Sequence, residues 1–444
     1  MPDDDMTARS TAVQAAASPL RSTVAEVAPS DPVREFVDGW AAAGRAFLLW
    51  RPADGFALVG GGAALTYLPP AGRPFAAVDA WWAATRAGCQ IDGQAGAPAT
   101  GPLLFSGVAF DPADARSAAD PYWRRFPPSA AVLPARMTTL RGGRAWLTLN
   151  GGADAPPPPP AAPVRAPAIT GATDLPQAAG WSRRVRALTD AIARGEAEKV
   201  VLARCKRVVA DGPFSAEAVL RRLAQDHCAS TVFAVGWGDR CFLGATPELL
   251  VATRGTAVRS ASLAGSRPRG RTPAEDGALA AELLASDKDR REHALVVNAV
   301  AAALRPLCRR VDVADAPAIL ALPNVQHLLT PVVAEAGAPG ALLALAERLH
   351  PTPAVGGVPR PAAVAAIRRL EARPRGWYAG TLGWVDAAGD GEFVVALRSG
   401  ILRGPTALLY AGCGVVAGSD PEREYAETEV KFAPLLAALG PGAV

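Results

Sequence analysis

"YAGCGVVAGSDPEREYAETEVK" occupies residues 410–431 of a 444-residue chain and joins two kinds of structure. Its first part completes "TALLYAGCGVV" (406–416), which reads as a strand. Its second part opens a helix expected from about Pro421 to Leu439. Upstream, "GWYAGTLGWVD", "AAGDG" and "GEFVVALRSGIL" read as strand, turn and strand, so that residues 376–416 are expected to form one antiparallel meander. The same stretch raises a question of charge. Residues 419–432 hold five carboxylates and two basic residues, with Glu424 and Glu427 three apart. "SDKDRREHALVV" (286–297) repeats the pattern with Asp289 and Glu292.

On a helix, residues three or four apart share a face. One stripe runs Asp289, Glu292, Val296, Val300 and the other Glu424, Glu427, Lys431, Leu435, so the acids continue an apolar line instead of opposing it. Inward carboxylates need a compensating cation. Two such pairs suit Mg²⁺, which takes one or two protein carboxylates and keeps waters for a substrate anion. By spacing alone a solvated acidic face is the more ordinary reading, and the metal reading stays open beside it.

Half of the residues are hydrophobic, a fifth are charged, and the formal net charge is +4. No basic block interleaved with aromatics stands out, so no nucleic-acid partner is expected. No apolar run reaches the roughly 18–20 residues of a membrane span. "MPDDDMTARSTAV" lacks the basic-then-apolar order of a signal peptide. Six scattered cysteines without a CxxC read as small buried thiols and a cytoplasmic protein. The glycines at 60–62 lack a strand–GxGxxG–helix context and are set aside.

Residues 1–30 are polar and expected to be mobile. Residues 31–150 alternate short apolar runs with Gly and Pro and read as strands and turns. Residues 151–172 are a Pro-rich linker, and the catalytic part is expected over 173–444, starting with a helix and then the strand "KVVLARCKRVVA".

"KVVLAR" (199–204), "FLGATPELLV" (242–251), "LAGSRPRG" (263–270), "SDKDRREHALVV", "LHPTPAVGGVP" (349–359), "RGWYAGTLGWVD" (375–386), "GDGEFVVALRS" (389–399) and "YAGCGVVAGSDPEREYAETEVK" follow one another in this order. Together they resemble the chorismate-utilising enzymes, and most closely isochorismate synthases. The likeness is dense over about 180–440 and loose before that, through "FSGVAFDP" (105–112). It implies an α+β fold with large, mainly antiparallel sheets, helices outside, and a deep cleft for chorismate and Mg²⁺. It also implies isomerisation of chorismate to isochorismate, feeding siderophore, salicylate or menaquinone synthesis.

Carried over residue by residue, the resemblance makes Glu292 and Glu427 the Mg²⁺ ligands, with Asp289 and Glu424 beside the ion. Lys199 matches the base that activates water, although a Lys opening a strand alone reads as a solvated end. That role requires a partly neutral amine. Glu248 matches the general acid, which requires a raised pKa. Arg398, placed on a strand face with Val394 and Ala396, and Tyr378 match a clamp on the enolpyruvyl carboxylate. Lys431 matches a second carboxylate contact, though alone it reads as an ion pair with Glu427. Gly265, Ser266, Gly412 and Gly414 fit positions of close backbone approach to substrate. His327 matches a cleft histidine near the leaving group, and His293 and His350 receive no role.

Aminating relatives carry a small residue where Lys199 stands, so no glutamine amidotransferase partner is expected, and a monomer is. Ala264 before Gly265 argues against the branch with a nucleophilic Lys. Ala354 and Val355 resemble isochorismate synthases more than salicylate synthases, the alternative reading. An inactive chorismate-binding scaffold is disfavoured because Lys199, Glu248, Glu292 and Glu427 are all present.

Overall fold

Lys199–Ala210, the long strand read from period-two alternation, forms the spine of the catalytic half. It is buried on both faces over its first seven residues. It pairs antiparallel with Thr406–Val415 along nearly its whole length and with Ile169–Leu175 on its other side. The computed structural model describes residues 20–94, 96–151, 160 and 167–440. Among these, a 13-stranded and a 10-stranded sheet pack with ten helices in an α+β arrangement. Every strand pairing is antiparallel save that of Arg21–Val27 with Gln90–Gly93.

Both halves of the chain build both sheets. In the larger sheet, Arg45–Arg51 pairs with Thr231–Trp237. In the smaller one, Leu103–Val108 pairs with Thr381–Asp386. Between the sheets lies an aromatic core that includes Trp123, Phe126, Phe242 and Trp377. No helix is long and apolar enough to cross a membrane, among the described residues.

Several expectations are corrected. The single meander over 376–416 is two hairpins in different sheets. Thr381–Asp386 and Gly391–Val395 pair in the smaller sheet, and Ser399–Arg403 and Thr406–Val415 in the larger. The chain changes sheet through Ala396–Arg398, where Arg398 adopts a positive φ of 48°. Arg398 is therefore outside any strand and shares no strand face with Val394 and Ala396. Residues 21–27, expected within a mobile segment, form a strand against Arg144–Asn150. Alternation turns Ser22 and Val24 inward, and Ser22 Oγ donates to Asn150 Oδ1 at 2.7 Å. Most of the Pro-rich linker and residues 1–19 lie outside the described residues, whereas Ile169–Leu175 is an edge strand. All six cysteines are free, but only Cys205, Cys241 and Cys413 are buried; Cys228 is exposed.

The C-terminal helix spans Pro421–Leu439, as predicted. Asp420 caps it by accepting from the backbone N–H groups of Glu422 and Arg423, and Pro421 takes a position where its missing N–H costs nothing. The first acidic stretch opens a helix at Asp287–Leu304, capped by Ser286. Asp289, Val296 and Val300 are buried on it, so the acidic stripe does turn inward.

Candidate active site

Two connections between the sheets define the site. One runs through Pro247–Glu248, between the strands Arg240–Thr246 and Leu249–Arg254, and the other through Ala396–Arg398. Hydrogen bonds tie them side by side: Val395 N donates to Glu248 O at 3.0 Å, and Thr246 Oγ1 donates to Val395 O at 2.6 Å. The sheets part here around a cavity of about 800 Å³. Every site residue singled out in the sequence lines that cavity, from Lys199 in the first block to Lys431 in the last.

Lys199 is 1 % exposed, and its Nζ pairs with Glu292 Oε1 at 2.9 Å. Gly414, opposite Val201 in the neighbouring strand, makes room for this pair. A Cβ there would collide with Glu292 Oε1 and crowd Lys199 Cε. At Gly412 a Cβ would lie 3.1 Å from the Tyr378 hydroxyl. These glycines are thus required by close approach of functional side chains. Gly265 has φ 73° and is the extra residue of a bulge, where Ala264 faces Leu328 and Ser266 faces His327.

Each of the four candidate metal acids has a cation near it. Beside the Lys199–Glu292 pair, Glu427 meets Lys431 at 2.5 Å, Asp289 meets Arg267 at 2.9 Å, and Glu424 meets Lys288 at 3.7 Å. Burial, and then the charge of Glu427, raise the Glu424 carboxyl above its ordinary range. Among the described residues no three His, Cys, Asp or Glu side chains are gathered into a ready-made metal cage. Mg²⁺ needs none, because it binds through one or two carboxylates and keeps waters. Hard oxygen donors from the first two turns of two helices, with Glu424 raised by burial and by repulsion from Glu427 in the absence of a metal cation, fit such an ion.

Glu248 is 4 % exposed. Burial pushes its carboxyl up to about 7, against the opposing pull of Lys199, Arg398 and Lys431. A carboxylic acid there holds its proton near neutral pH. Arg398 Nη2 donates to His327 Nε2 at 3.0 Å. The other nitrogen, His327 Nδ1, donates to Gly265 O at 3.1 Å, beside Ser266 Oγ at 3.0 Å. This pattern fixes the neutral Nδ1–H tautomer. Burial, followed by the charges of Arg398 and Lys431, lowers the ring's pKa to about 3. The geometry makes His327 a prop for Arg398. Tyr378 stacks on Tyr410, and its hydroxyl makes no hydrogen bond among the described residues.

Ala354 and Val355 lie in a turn closed by Val355 N and Gly356 N donating to Thr352 O. Sequence reasoning missed what holds this turn. Arg375, 3 % exposed, donates to Val355 O and Val201 O, both at 2.7 Å, and pairs with buried Glu371 at 2.5 Å. Glu371 also accepts from Ala203 N at 2.8 Å. The pair bolts the strand bearing Lys199 to the turn bearing Val355. Its signal was an i,i+4 Glu–Arg spacing, which alone reads as a surface pair.

A family model described as chorismate binding enzyme matches residues 7–158 and 155–440. "Salicylate biosynthesis isochorismate synthase" of Pseudomonas aeruginosa is 35 % identical over 439 residues, covering 93 % of this chain and 89 % of that protein. "Isochorismate synthase MenF" of Bacillus subtilis is 38 % identical over 358 residues, covering 77 % and 75 %. Among solved structures, the menaquinone-specific isochorismate synthase MenF of Escherichia coli aligns with a TM-score of 0.80 at 26 % identity, covering 95 % of both chains. A Bacillus anthracis structure described as a 2,3-dihydroxybenzoate-specific isochorismate synthase gives 0.73 at 32 %, covering 89 % of this chain and 96 % of that one. The chain belongs to the chorismate-binding enzyme family.

Proposed function

We propose that this chain is an isochorismate synthase, converting chorismate to isochorismate by adding water at ring C2 and expelling the C4 hydroxyl. The observation that carries this reading is a cavity that joins buried Lys199 to Glu248, a carboxyl raised to about 7. Water addition needs a proton acceptor and hydroxyl departure needs a proton donor. Lys199 is assigned as acceptor of the proton that leaves the attacking water as its oxygen bonds to C2. The ring double bonds shift, the C4–O bond breaks, and Glu248 delivers its proton to the departing hydroxyl. One water enters and one leaves, so atoms and charge balance.

Arg398, held by His327, and the free Tyr378 hydroxyl offer a planar fork and a donor for the enolpyruvyl carboxylate. Lys431 Nζ, anchored on Gly412 O at 2.8 Å, is a further cation in the same cavity. Glu292 and Glu427, with Asp289 and Glu424 beside them, would hold Mg²⁺, which supplies positive charge to the ring carboxylate.

Lys199→Ala and Glu248→Gln test the assignment. Each is expected to lower turnover roughly 10²–10⁴-fold, the usual worth of a positioned base or acid, while chorismate binding with Mg²⁺ persists. Near-normal turnover by Lys199→Ala would assign the base elsewhere.

A further inference from the structure

The acid-bearing C-terminal helix is tied to the strand Lys199–Ala210 through one buried arginine. Arg204 is 1 % exposed and shares a strand face with Val200 and Leu202. Its Nε donates to Thr428 Oγ1 at 2.6 Å, Nη1 to Asp174 Oδ1 at 2.8 Å, and Nη2 to Glu429. The guanidinium lies 3.8 Å from the Tyr425 ring centre and 4.9 Å from that of Phe432. Tyr425 Oη donates to the same Asp174 at 2.9 Å, and Lys206 pairs with Asp174 at 3.0 Å and Glu429 at 3.2 Å.

Four residues of one helix therefore converge on one cation. At about 100° per residue, Tyr425, Thr428, Glu429 and Phe432 span about 100° of the helix surface, and Glu424, Glu427 and Lys431 are centred about 120° further round. The cavity takes the second set and Arg204 grips the first. A greasy face could slide or roll on a sheet; a planar fork bonded to three acceptors and stacked on rings admits one rotation. Stability alone does not call for a charge here, since buried ionic groups are often replaced by apolar ones without loss.

We propose that Arg204 is a positioning residue that sets the rotation of the C-terminal helix, and with it the placement of Glu424 and Glu427 in the metal site. The proposal rests on the Mg²⁺ reading above. Isothermal titration of Mg²⁺ into folded wild type, Arg204→Lys, Thr428→Val and Thr428→Ser, beside thermal melts, tests it. Arg204→Lys is expected to raise the Kd for Mg²⁺ roughly 10–100-fold, the range seen when support behind a metal ligand is removed. Thr428→Val, which keeps the volume and loses one acceptor, raises it less, and Thr428→Ser restores it. A purely structural role lowers the melting temperature and leaves Kd unchanged in the folded protein. Unchanged Kd in Thr428→Val, or in Arg204→Lys if that variant folds, overturns the clamp alone. No Mg²⁺ uptake by wild type overturns the metal reading and the clamp together.

Discussion

Burial and charge pull Glu248 in opposite directions, and burial wins, leaving its carboxyl at about 7. Turnover should therefore fall as pH rises through about 7, where the donor loses its proton. Stability carries the same sign. A carboxyl whose folded pKa lies above its unfolded value binds more protons when folded, so its contribution is intact below about 4.5 and is lost as pH rises through about 7. Over that window the loss is about 3 kcal/mol at most. Glu248→Gln should flatten this part of the stability–pH profile in chemical denaturation, and an unchanged profile would place the proton elsewhere. Arg398 makes a second prediction. An ammonium cannot both meet a planar carboxylate twice and reach His327, so Arg398→Lys should raise KM for chorismate about tenfold or more, with a smaller fall in kcat. Steady-state kinetics with unchanged KM would mean that Arg398 serves another group. The identities of these residues were legible in the sequence through the family's motifs. The support behind them was not: His327 beneath Arg398, and Arg375 behind Val355, become visible only when distant segments meet.

Helix boundaries were the most legible elements, because an apolar period of 3.6 is local. The C-terminal helix nevertheless contains Pro434, whose missing N–H strands the carbonyl of Val430, four residues earlier. Asn324, just before the strand Val325–Ala336 of the smaller sheet, fills the gap: its Nδ2 donates to Val430 O at 2.9 Å. The helix is thus pinned to the larger sheet by Arg204 and to the smaller one by Asn324, on either side of the cavity. Asn324→Ala should cost about 1 kcal/mol, the usual net worth of a hydrogen bond, at this half-buried carbonyl. Adding Pro434→Ala supplies the missing donor, so the Asn324→Ala loss should shrink in that background. Denaturant midpoints around the double-mutant cycle check this, and strictly additive losses would contradict it. The strands show the limit of local pattern. Residues 376–416 read as three strands and fold as four, because alternation does not say where a strand leaves one sheet for the other. The crossover at Arg398 depends on a left-handed backbone that sequence does not advertise for an arginine.

At the scale of the molecule, the larger sheet closes only when Arg45–Arg51 finds Thr231–Trp237, and the smaller when Leu103–Val108 finds Thr381–Asp386. Such pairings leave no mark on a short window, which is why the N-terminal half resembled the family only loosely while contributing to both sheets. The cavity follows from this closure. Its residues come from blocks spread over more than two hundred positions, and it is the seam between sheets, crossed at Glu248 and Arg398, that assembles them. Spacing could suggest that two acidic pairs face inward. It could not say that each acid meets a cation, Glu424 alone taking one from the other pair's helix, or that all four share one space with Lys199 and the raised carboxyl of Glu248.

The direct test of the account is the product. Purified protein is incubated with chorismate and Mg²⁺ alone near neutral pH, with an EDTA-treated sample beside it, and chorismate, isochorismate, salicylate and pyruvate are measured over time. The account predicts a mixture of chorismate and isochorismate reached from either side, since water replaces water and no aromatisation drives the reaction. It also predicts no turnover in EDTA and recovery on adding Mg²⁺. Pyruvate and salicylate formed in equal amounts at early times, above the decay of isochorismate without enzyme, would contradict it and make the protein a salicylate synthase; full activity in EDTA would remove the metal from the mechanism.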